Sequence, residues 1–145
     1  MQYIEAPVQE KAGFKSVFLA GGITNCPDWQ KYVADKLAKY DITVFNPRRK
    51  KFPTAHEAMQ EQISWEYERL RTADIISFWF SSGSLNPIVL FELGAAMERN
   101  ANMVVGLNPD YERRMDVEIQ VGLRKPKISI KYSLDELIKE IEAKI

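Results

Sequence analysis

Two glutamates stand where helical patterns should hold them away from water. Glu92 lies in the run NPIVLFELGAAM (86–97), whose other members are nearly all apolar or small. Burying an unpaired carboxylate costs on the order of 3 kcal/mol or more, or else raises its pKa. At 100° per residue, Glu66 falls between Ile63 and Leu70 on an apolar stripe. Both carboxylates are therefore candidates for chemistry.

Each of these carboxylates also has a purely structural explanation. Glu66 could end its stripe beyond the sheet edge, or it could pair with Arg48 or Arg49. Glu92 could be an internal residue bonded to a neighbouring Tyr or Arg. Its helix, however, starts at Pro87, directly after a predicted strand, so that Glu92 should face the same crevice as Glu66. This placement favours a functional role for Glu92.

Two carboxylates that converge on one cleft are the minimum set for cleaving a glycosidic bond. One can attack the anomeric carbon while the other manages the proton of the leaving group. This chemistry needs neither a metal nor a histidine. The chain has one cysteine, Cys26, and one histidine, His56, which excludes a disulfide framework and argues against a structural zinc site.

The loop AGGITN (20–25) follows the first predicted strand. Its glycines, Gly21 and Gly22, would let a ligand lie against the backbone, although a tight turn without a ligand role is an open alternative. The sequence has no G-x-G-x-x-G fingerprint and no P-loop lysine motif. This argues against a nicotinamide cofactor and against ATP hydrolysis, and we expect no cofactor.

The composition is that of one globular domain, which we expect to span residues 1–145. Hydrophobic residues make up 46% of the chain, charged residues make up 28%, and the formal net charge is zero. That balance argues against strong attraction to nucleic acid or to a membrane surface. No apolar run reaches the roughly 18 residues that span a bilayer. The first fifteen residues lack the apolar core of a signal peptide, and we expect a cytoplasmic protein.

Short β-rich runs alternate with helical patterns along the chain. Strands are predicted at residues 16–20, 42–45, 75–80, 102–107 and 127–130. The central runs are continuously apolar, as is typical of parallel strands covered on both faces. The alternation predicts a flavodoxin- or Rossmann-like α/β fold: a doubly wound five-stranded parallel sheet of order 2-1-3-4-5 between two helical layers.

Helix starts are visible as capping residues. They are predicted at Asp28, at Thr54 with Glu57, at Asn86 with Pro87, and at Ser133 with Glu136. The polar segment 108–126 is expected to hold a short helix. The ligand site should lie beyond the carboxyl ends of the strands, where the first and third predicted strands diverge.

Basic and aromatic residues near that edge have alternative roles. The cluster RRKK (48–51) could bind a phosphate, or it could be a solvated loop or pair with acidic neighbours such as Glu57 and Glu61. Tryptophans could stack on a base. Trp79 lies in a predicted strand and is expected in the core. Trp65 lies off the apolar stripe of its helix, so it should face either a ligand or a subunit contact.

Several motifs together resemble one family. They are FLAGGI at the end of a strand, P-D-W-Q at a helix start, N-P-R-R after the second predicted strand, W-E before A-D-I-I-S-F-W, and N-P-I-V-L-F-E-L-G. From about Val17 to Val121 the chain resembles the nucleoside 2-deoxyribosyltransferase-like family. The F-E-L-G element with its upstream N-P is the most specific part of this resemblance.

The resemblance implies a flavodoxin-like fold and roles for several residues. Transferases of this family cleave the N-glycosidic bond of a 2'-deoxynucleoside and pass the sugar to another base. The resemblance makes Glu92 the nucleophile and Glu66 the residue that contacts the base and assists its protonation. It places Asn86 at the sugar hydroxyls, where the better-known transferases carry Asp. Val17 stands where those transferases have a Tyr, and their C-terminal carboxylate need not have a counterpart here.

The resemblance also implies a homo-oligomer that acts on small nucleosides. A neighbouring subunit completes the active site in this family, and the candidates for that contribution are Tyr111, Arg113, Arg114 and Asp116. The full set of expected substrate-binding residues is Gly21, Gly22, Trp29, Asn46, Arg48, Trp65, Asn86, Arg113, Arg114 and Asp116. Two alternatives stay open: a hydrolase acting on 2'-deoxynucleoside 5'-monophosphates, and a non-catalytic nucleotide-binding protein.

Overall fold

The computed structural model describes residues 1–51 and 54–145 of the chain. Within them the strands are β1 (Gln2–Glu5), β2 (Lys15–Gly21), β3 (Ile42–Asn46), β4 (Ile75–Phe80) and β5 (Met103–Leu107). The helices are α1 (Trp29–Leu37), α2 (His56–Thr72), α3 (Pro87–Glu98), α4 (Arg114–Arg124) and α5 (Leu134–Glu142). Phe52, at the end of the basic loop after β3, lies outside the described residues.

The five strands form one all-parallel sheet of order β1-β3-β2-β4-β5. The predicted fold class is confirmed, and β2 to β5 are the first four predicted strands in their predicted order. The fifth strand was assigned to the wrong segment. Residues 127–130 make no strand, and only an isolated bridge between Gly106 and Lys131 follows them. The sheet is completed at its other edge by β1, which pairs with β3.

A local turn explains why the segment 127–130 leaves the sheet. The backbone N–H of Ile128 donates to the carbonyl of Lys125 at 2.9 Å, so the chain turns before it can extend along β5. Ile128 and Ile130 still pack against the core. Their apolar side chains are therefore partly buried without the backbone pairing that their alternation predicts.

Alternating side chains of the strands divide the core between two helical layers. On β2, Phe18 and Ala20 point to the layer formed by α2, α3 and α4, whereas Val17 and Leu19 point to α1 and α5. This is the period of two expected for a strand covered on both faces. No helix in the described part of the chain is long and apolar enough to cross a membrane.

Two of the predicted helix caps form as expected. The Asp28 carboxylate accepts from the backbone N–H of Lys31, and the Ser133 hydroxyl accepts from that of Glu136. The predicted capping box before α2 does not form: α2 begins at His56 with Ala55 as its N-cap residue and no side-chain cap. The helix expected within 108–126 is α4.

The buried face of α2 differs from the predicted stripe. Ile63 on that stripe is 62% exposed, and Met59, which extends the stripe by one turn, is 48% exposed. The helix is buried instead through Gln62, Trp65 and Arg69. Periodicity alone cannot choose between two adjacent stripes of a helix when one of them carries a large aromatic side chain. Burial of the indole decides the rotation of α2, because an aromatic side chain removes more apolar area from water than methionine or isoleucine does.

Trp65 is part of the core and not of a ligand site. Its ring lies 6.2 Å, between centroids, from the rings of both Phe18 and Phe45. Its indole N–H donates to the carbonyl of Val8 at 2.8 Å. The side chain is fully buried, so the prediction that Trp65 faces a ligand or a subunit contact is wrong.

Candidate active site

A cavity of about 440 Å³ lies at the carboxyl ends of β2 and β4. Its walls come from the loop after β2, from Pro47 after β3, from α2 and from the start of α3. The chain leaves β2 toward one helical layer and β4 toward the other, so the two loops part and leave a crevice between them. The cavity therefore lies where the strand order predicts a ligand site.

Glu92 lines this cavity from α3, about one and a half turns from the N-terminus of the helix. Within residues 1–51 and 54–145 it has no hydrogen bond and no ion pair, so the bonded alternative to a functional role is not seen there. Burial, and as the smaller cause the charge of Glu66, raise the pKa of Glu92 to about 8. A carboxyl group with this environment fits a reactive role better than a structural one.

Glu66 lines the same cavity from α2. Burial raises its pKa, and a hydrogen bond from Gln62 acts in the opposite direction. That bond joins Gln62 Nε2 to Glu66 Oε1 at 2.6 Å. Glu66 is not paired with Arg48 or Arg49, whose guanidinium groups contact other partners. The structure thus brings the two candidate carboxylates together in one cavity, where burial raises the pKa of both.

Gly21, at the end of β2, and Gly22, in the loop that follows, form one wall of the cavity. A Cβ on Gly21 would collide with the ring of Trp29, and a Cβ on Gly22 would collide with the amide oxygen of Asn86. The indole N–H of Trp29 donates to the carbonyl of Gly22 at 3.1 Å. Trp29 is buried behind this wall, so it supports the loop and does not stack on a ligand in the cavity.

Asn86 lines the cavity and shapes the loop before α3. Its backbone is left-handed, with φ of 51°, and its side-chain amide does not cap the helix. Nδ2 donates instead to the carbonyls of Ser81 and Ser84, at 3.4 and 3.2 Å. Oδ1 accepts from the Cys26 thiol at 3.6 Å. An amide oxygen has two lone pairs, so Oδ1 keeps the capacity for one further bond, from a sugar hydroxyl.

Two predicted binding residues after β3 turn away from the cavity. The Asn46 amide donates to the Tyr3 hydroxyl at 2.6 Å and accepts from the Arg48 backbone N–H at 2.9 Å. The Arg48 guanidinium donates to the carbonyls of Cys26 and Pro27. Asn46 and Arg48 therefore fasten the loop after β3 to the start of α1. Neither is among the described residues that line the cavity, which corrects their assignment as substrate-binding residues in this chain.

The residues expected from a neighbouring subunit lie outside this cavity in their own chain. Arg113 pairs with Asp116 at 3.0 Å, and the Arg114 guanidinium lies 4.7 Å from the centre of the Tyr132 ring. Tyr111 is buried, and its hydroxyl donates to the carbonyl of Leu85 at 2.6 Å. Tyr111 thus braces the loop before α3 and is buried in its own chain, so its own assignment to a neighbouring subunit's site is wrong.

Sequence reasoning did not name several residues of the cavity wall individually. Ile23, Thr24 and Asn25 lie in the loop 20–25 that it did single out. The others are Pro47, Ser84, Ile88 and Val89. The sequence carried only a weak signal, the asparagines in these loops, because asparagine is among the few residues other than glycine that tolerate a left-handed backbone. Asn25 and Asn86 adopt it at the cavity, but so does Asn100 outside it.

Comparison with known proteins connects this geometry to one family. Residues 14–111 match the family model described as nucleoside 2-deoxyribosyltransferase like, and this range includes both cavity carboxylates. The crystal structure of a conserved protein from Enterococcus faecalis V583 superimposes with a TM-score of 0.66 at 15% identity, covering 91% of this chain and 99% of that chain. At this identity the likeness shows the fold alone. A comparison with curated proteins gives no match.

Proposed function

The chain belongs to the nucleoside 2-deoxyribosyltransferase-like family, and we propose that it transfers the deoxyribosyl group of a 2'-deoxynucleoside from one nucleobase to another. The observation that carries this proposal is the pair of carboxylates in the cavity. Glu92 has no ion pair in the described part of the chain, and its pKa is raised by burial and by Glu66. A structural carboxylate would be expected to have a partner at such a place.

The proposed reaction has two steps at the anomeric carbon. The ionised Glu92 carboxylate attacks C1', and the electron pair of the C1'–N bond leaves with the base. Glu66, or a water that it holds, gives the departing base its proton. In the second step the Glu66 carboxylate takes the proton of a nucleobase nitrogen, and that nitrogen attacks C1' and releases the Glu92 carboxylate. Two inversions at C1' retain the β configuration.

A deoxy sugar suits this route. The transition state carries positive charge on the sugar ring, and an electron-withdrawing 2'-hydroxyl would destabilise it. An ionised Glu92 that lines the cavity would stabilise that charge at the ring. The Asn86 amide oxygen and the backbone beside Gly22 are the groups that we propose for the sugar hydroxyls.

The state of the pair determines whether it can react. Attack needs a charge on Glu92, and leaving-group assistance needs a proton on Glu66. Because each negative charge disfavours the other, the pair holds one proton over part of the pH range, and its titration belongs to both groups together. The single-proton state is the one that the proposed reaction uses.

We also propose that a second copy of the chain covers the outer face of α2, α3 and α4. Exposed apolar side chains lie at Met59, Ile63, Tyr67, Ile88, Phe91, Met115, Ile119 and Leu123. Phe91 is 78% exposed and directly precedes Glu92, while Ile88 is 64% exposed and lines the cavity. An apolar face that continues into the cavity suits a partner that closes the active site. Arg113, Arg114 and Asp116 at the start of α4 stay candidates for that contribution.

A mixture experiment tests the transferase proposal. Purified protein is incubated with thymidine and adenine, and products are followed by mass spectrometry. Formation of 2'-deoxyadenosine is the expected result. Release of thymine without 2'-deoxyadenosine would show a hydrolase, and cleavage of dCMP or dGMP but not of free nucleosides would show the nucleotide-specific alternative. Tight binding without turnover would contradict catalysis.

A further inference from the structure

Gln62 is a buried polar residue one turn before Glu66 on α2. Its Nε2 donates to Glu66 Oε1 at 2.6 Å and to the carbonyl of Pro47 at 2.9 Å. Its Oε1 accepts from an Arg49 guanidinium N–H at 3.3 Å. Gln62 therefore joins the cavity carboxylate to the cavity wall at Pro47 and to the basic loop.

The neighbours of Gln62 fix the orientation of its amide. A guanidinium can only donate, and a backbone carbonyl can only accept. Turning the amide over would place its oxygen against the Pro47 carbonyl and its NH₂ group against Arg49. Both contacts would be repulsive, so Gln62 must present an N–H donor to Glu66.

A donor at one carboxylate oxygen decides which oxygen carries a proton. Oε1 of Glu66 accepts from Gln62, and a hydroxyl oxygen accepts less well than a carbonyl oxygen. When Glu66 is protonated, its proton therefore belongs on Oε2, which accepts no hydrogen bond within the described residues. Two further charged groups act on this arrangement: Glu92 from α3, and Arg49, which reaches Glu66 only through Gln62.

We propose that Gln62 is a positioning residue that holds Oε1 of Glu66 and so directs the acidic proton from Oε2 toward the departing nucleobase. This inference rests on the proposed function. As the C1'–N bond breaks, the proton passes from Oε2 to the base and Glu66 becomes a carboxylate. The bond from Gln62 then gains charge assistance, so it is stronger after proton transfer than before.

Leaving-group dependence tests this role. The variant Gln62→Met keeps the length of the side chain and removes its hydrogen bonds. With adenine as acceptor, kcat for 2'-deoxyuridine should fall about tenfold or more, since general acid catalysis contributes roughly 10²–10⁴-fold. The fall should be clearly smaller for 5-fluoro-2'-deoxyuridine, whose base leaves more readily as an anion. KM should change little for either nucleoside.

Gln30 provides a matched control. It is also buried, it donates to the Gly22 carbonyl, and it accepts from Arg48, but it contacts no carboxylate. Gln30→Met should therefore change kcat by the same factor for 2'-deoxyuridine and for 5-fluoro-2'-deoxyuridine. If Gln62→Met lost kcat by the same factor for both nucleosides, the positioning role would be overturned. If Gln62→Met does not fold, Arg49→Met serves instead and should show the same pattern with a smaller loss.

A readout without turnover separates this inference from the proposed function. In the unmodified protein the hydrogen bond from Gln62 lowers the pKa of Glu66. Carbon-13 NMR of the side-chain carboxyls should therefore show a higher pKa for Glu66 in Gln62→Met, which lacks this bond. An unchanged pKa would overturn the inference. Absence of base exchange by the unmodified protein would instead overturn the proposed function, and the NMR comparison would still stand.

Discussion

Glu92 on α3 and Glu66 on α2 line the same cavity, and the charge of Glu66 contributes to the raised pKa of Glu92. The two carboxylates come from helices that follow different strands of the sheet, so their meeting depends on the strand order β3-β2-β4. Burial is the larger cause of the raised pKa, and like charge is the second. Their coupling leads to the first prediction.

The pH dependence of the reaction should report the pair of carboxylates. The reaction uses the state in which the pair holds one proton, so kcat/KM should fall as the pH rises through about 8, where the second proton leaves. In Glu66→Gln the general acid and its repulsive charge are both gone, so the lower kcat/KM should instead rise with pH, through a pKa of Glu92 that lies below 8. The measurement is a pH–rate profile of both proteins. A falling limb near pH 8 that persists in Glu66→Gln would show that the two groups do not share a proton.

The same burial makes Glu92 a liability for stability at alkaline pH. Its pKa is raised in the folded state, so its contribution is fully present below about pH 4.5 and is lost as the pH rises through about 8. Glu92→Gln removes this dependence. From pH 5 to pH 8, the difference in unfolding free energy between Glu92→Gln and the unmodified protein should shift in favour of the variant by roughly 2 kcal/mol or more. The reason is that each pH unit in this range counts for about 1.4 kcal/mol.

Urea unfolding at pH 5 and at pH 8 measures this gain. Glu98→Gln, at the exposed end of the same helix, is the control and should show no comparable gain. A stability difference between Glu92→Gln and the unmodified protein that is independent of pH would contradict the raised pKa of Glu92. The prediction does not depend on the identity of the substrate.

The wall at Gly22 should be intolerant of a side chain. In Gly22→Ala the added methyl group would collide with the Asn86 amide, and it could be relieved only by moving the loop that carries the cavity. We expect a loss of roughly 1–3 kcal/mol in unfolding free energy, as for overpacking, and a loss of activity. Gly122→Ala on α4, where a Cβ meets open space, should be neutral or stabilising by up to about 1 kcal/mol. Similar effects of both variants in thermal unfolding and in activity would contradict this account of the wall.

Some features of the fold and the site could be predicted because they leave a pattern in the sequence, and others could not. Glu92 could be found because a charge inside an apolar run is visible without a structure. The order of β2 to β5 followed from alternation and from the handedness of parallel connections. The edge strand β1 could not be found, because Ile4 is its only fully buried residue and so leaves little pattern.

Other parts of the site depend on tertiary contacts that no pattern encodes. The helical stripe at Ile63 was assigned to the core, whereas Trp65 decides which side of α2 faces the sheet. Gln62 is a polar residue in a polar helix until Arg49 and Pro47 satisfy its amide. Arg48 looked like a phosphate ligand because the carbonyls that engage it lie 21 and 22 residues away in sequence.

The outer face of the α2–α4 layer should mediate self-association. Phe91→Glu places a charge in the middle of that face and should shift the protein to a smaller species in analytical ultracentrifugation. Because a partner is proposed to close the cavity, exchange activity should fall with it. Phe14→Glu, at the opposite end of the sheet, should leave the assembly intact. A monomeric unmodified protein at micromolar concentration that is fully active would refute the proposed interface.

The covalent step at Glu92 can be observed directly. The protein is mixed with thymidine without an acceptor base, quenched in acid, digested and mapped by mass spectrometry. We expect a mass increase of one deoxyribosyl group on the peptide that contains Glu92, and no such adduct in Glu92→Gln. An adduct on another residue, or base exchange by Glu92→Gln at the rate of the unmodified protein, would contradict the assignment of Glu92 as the nucleophile.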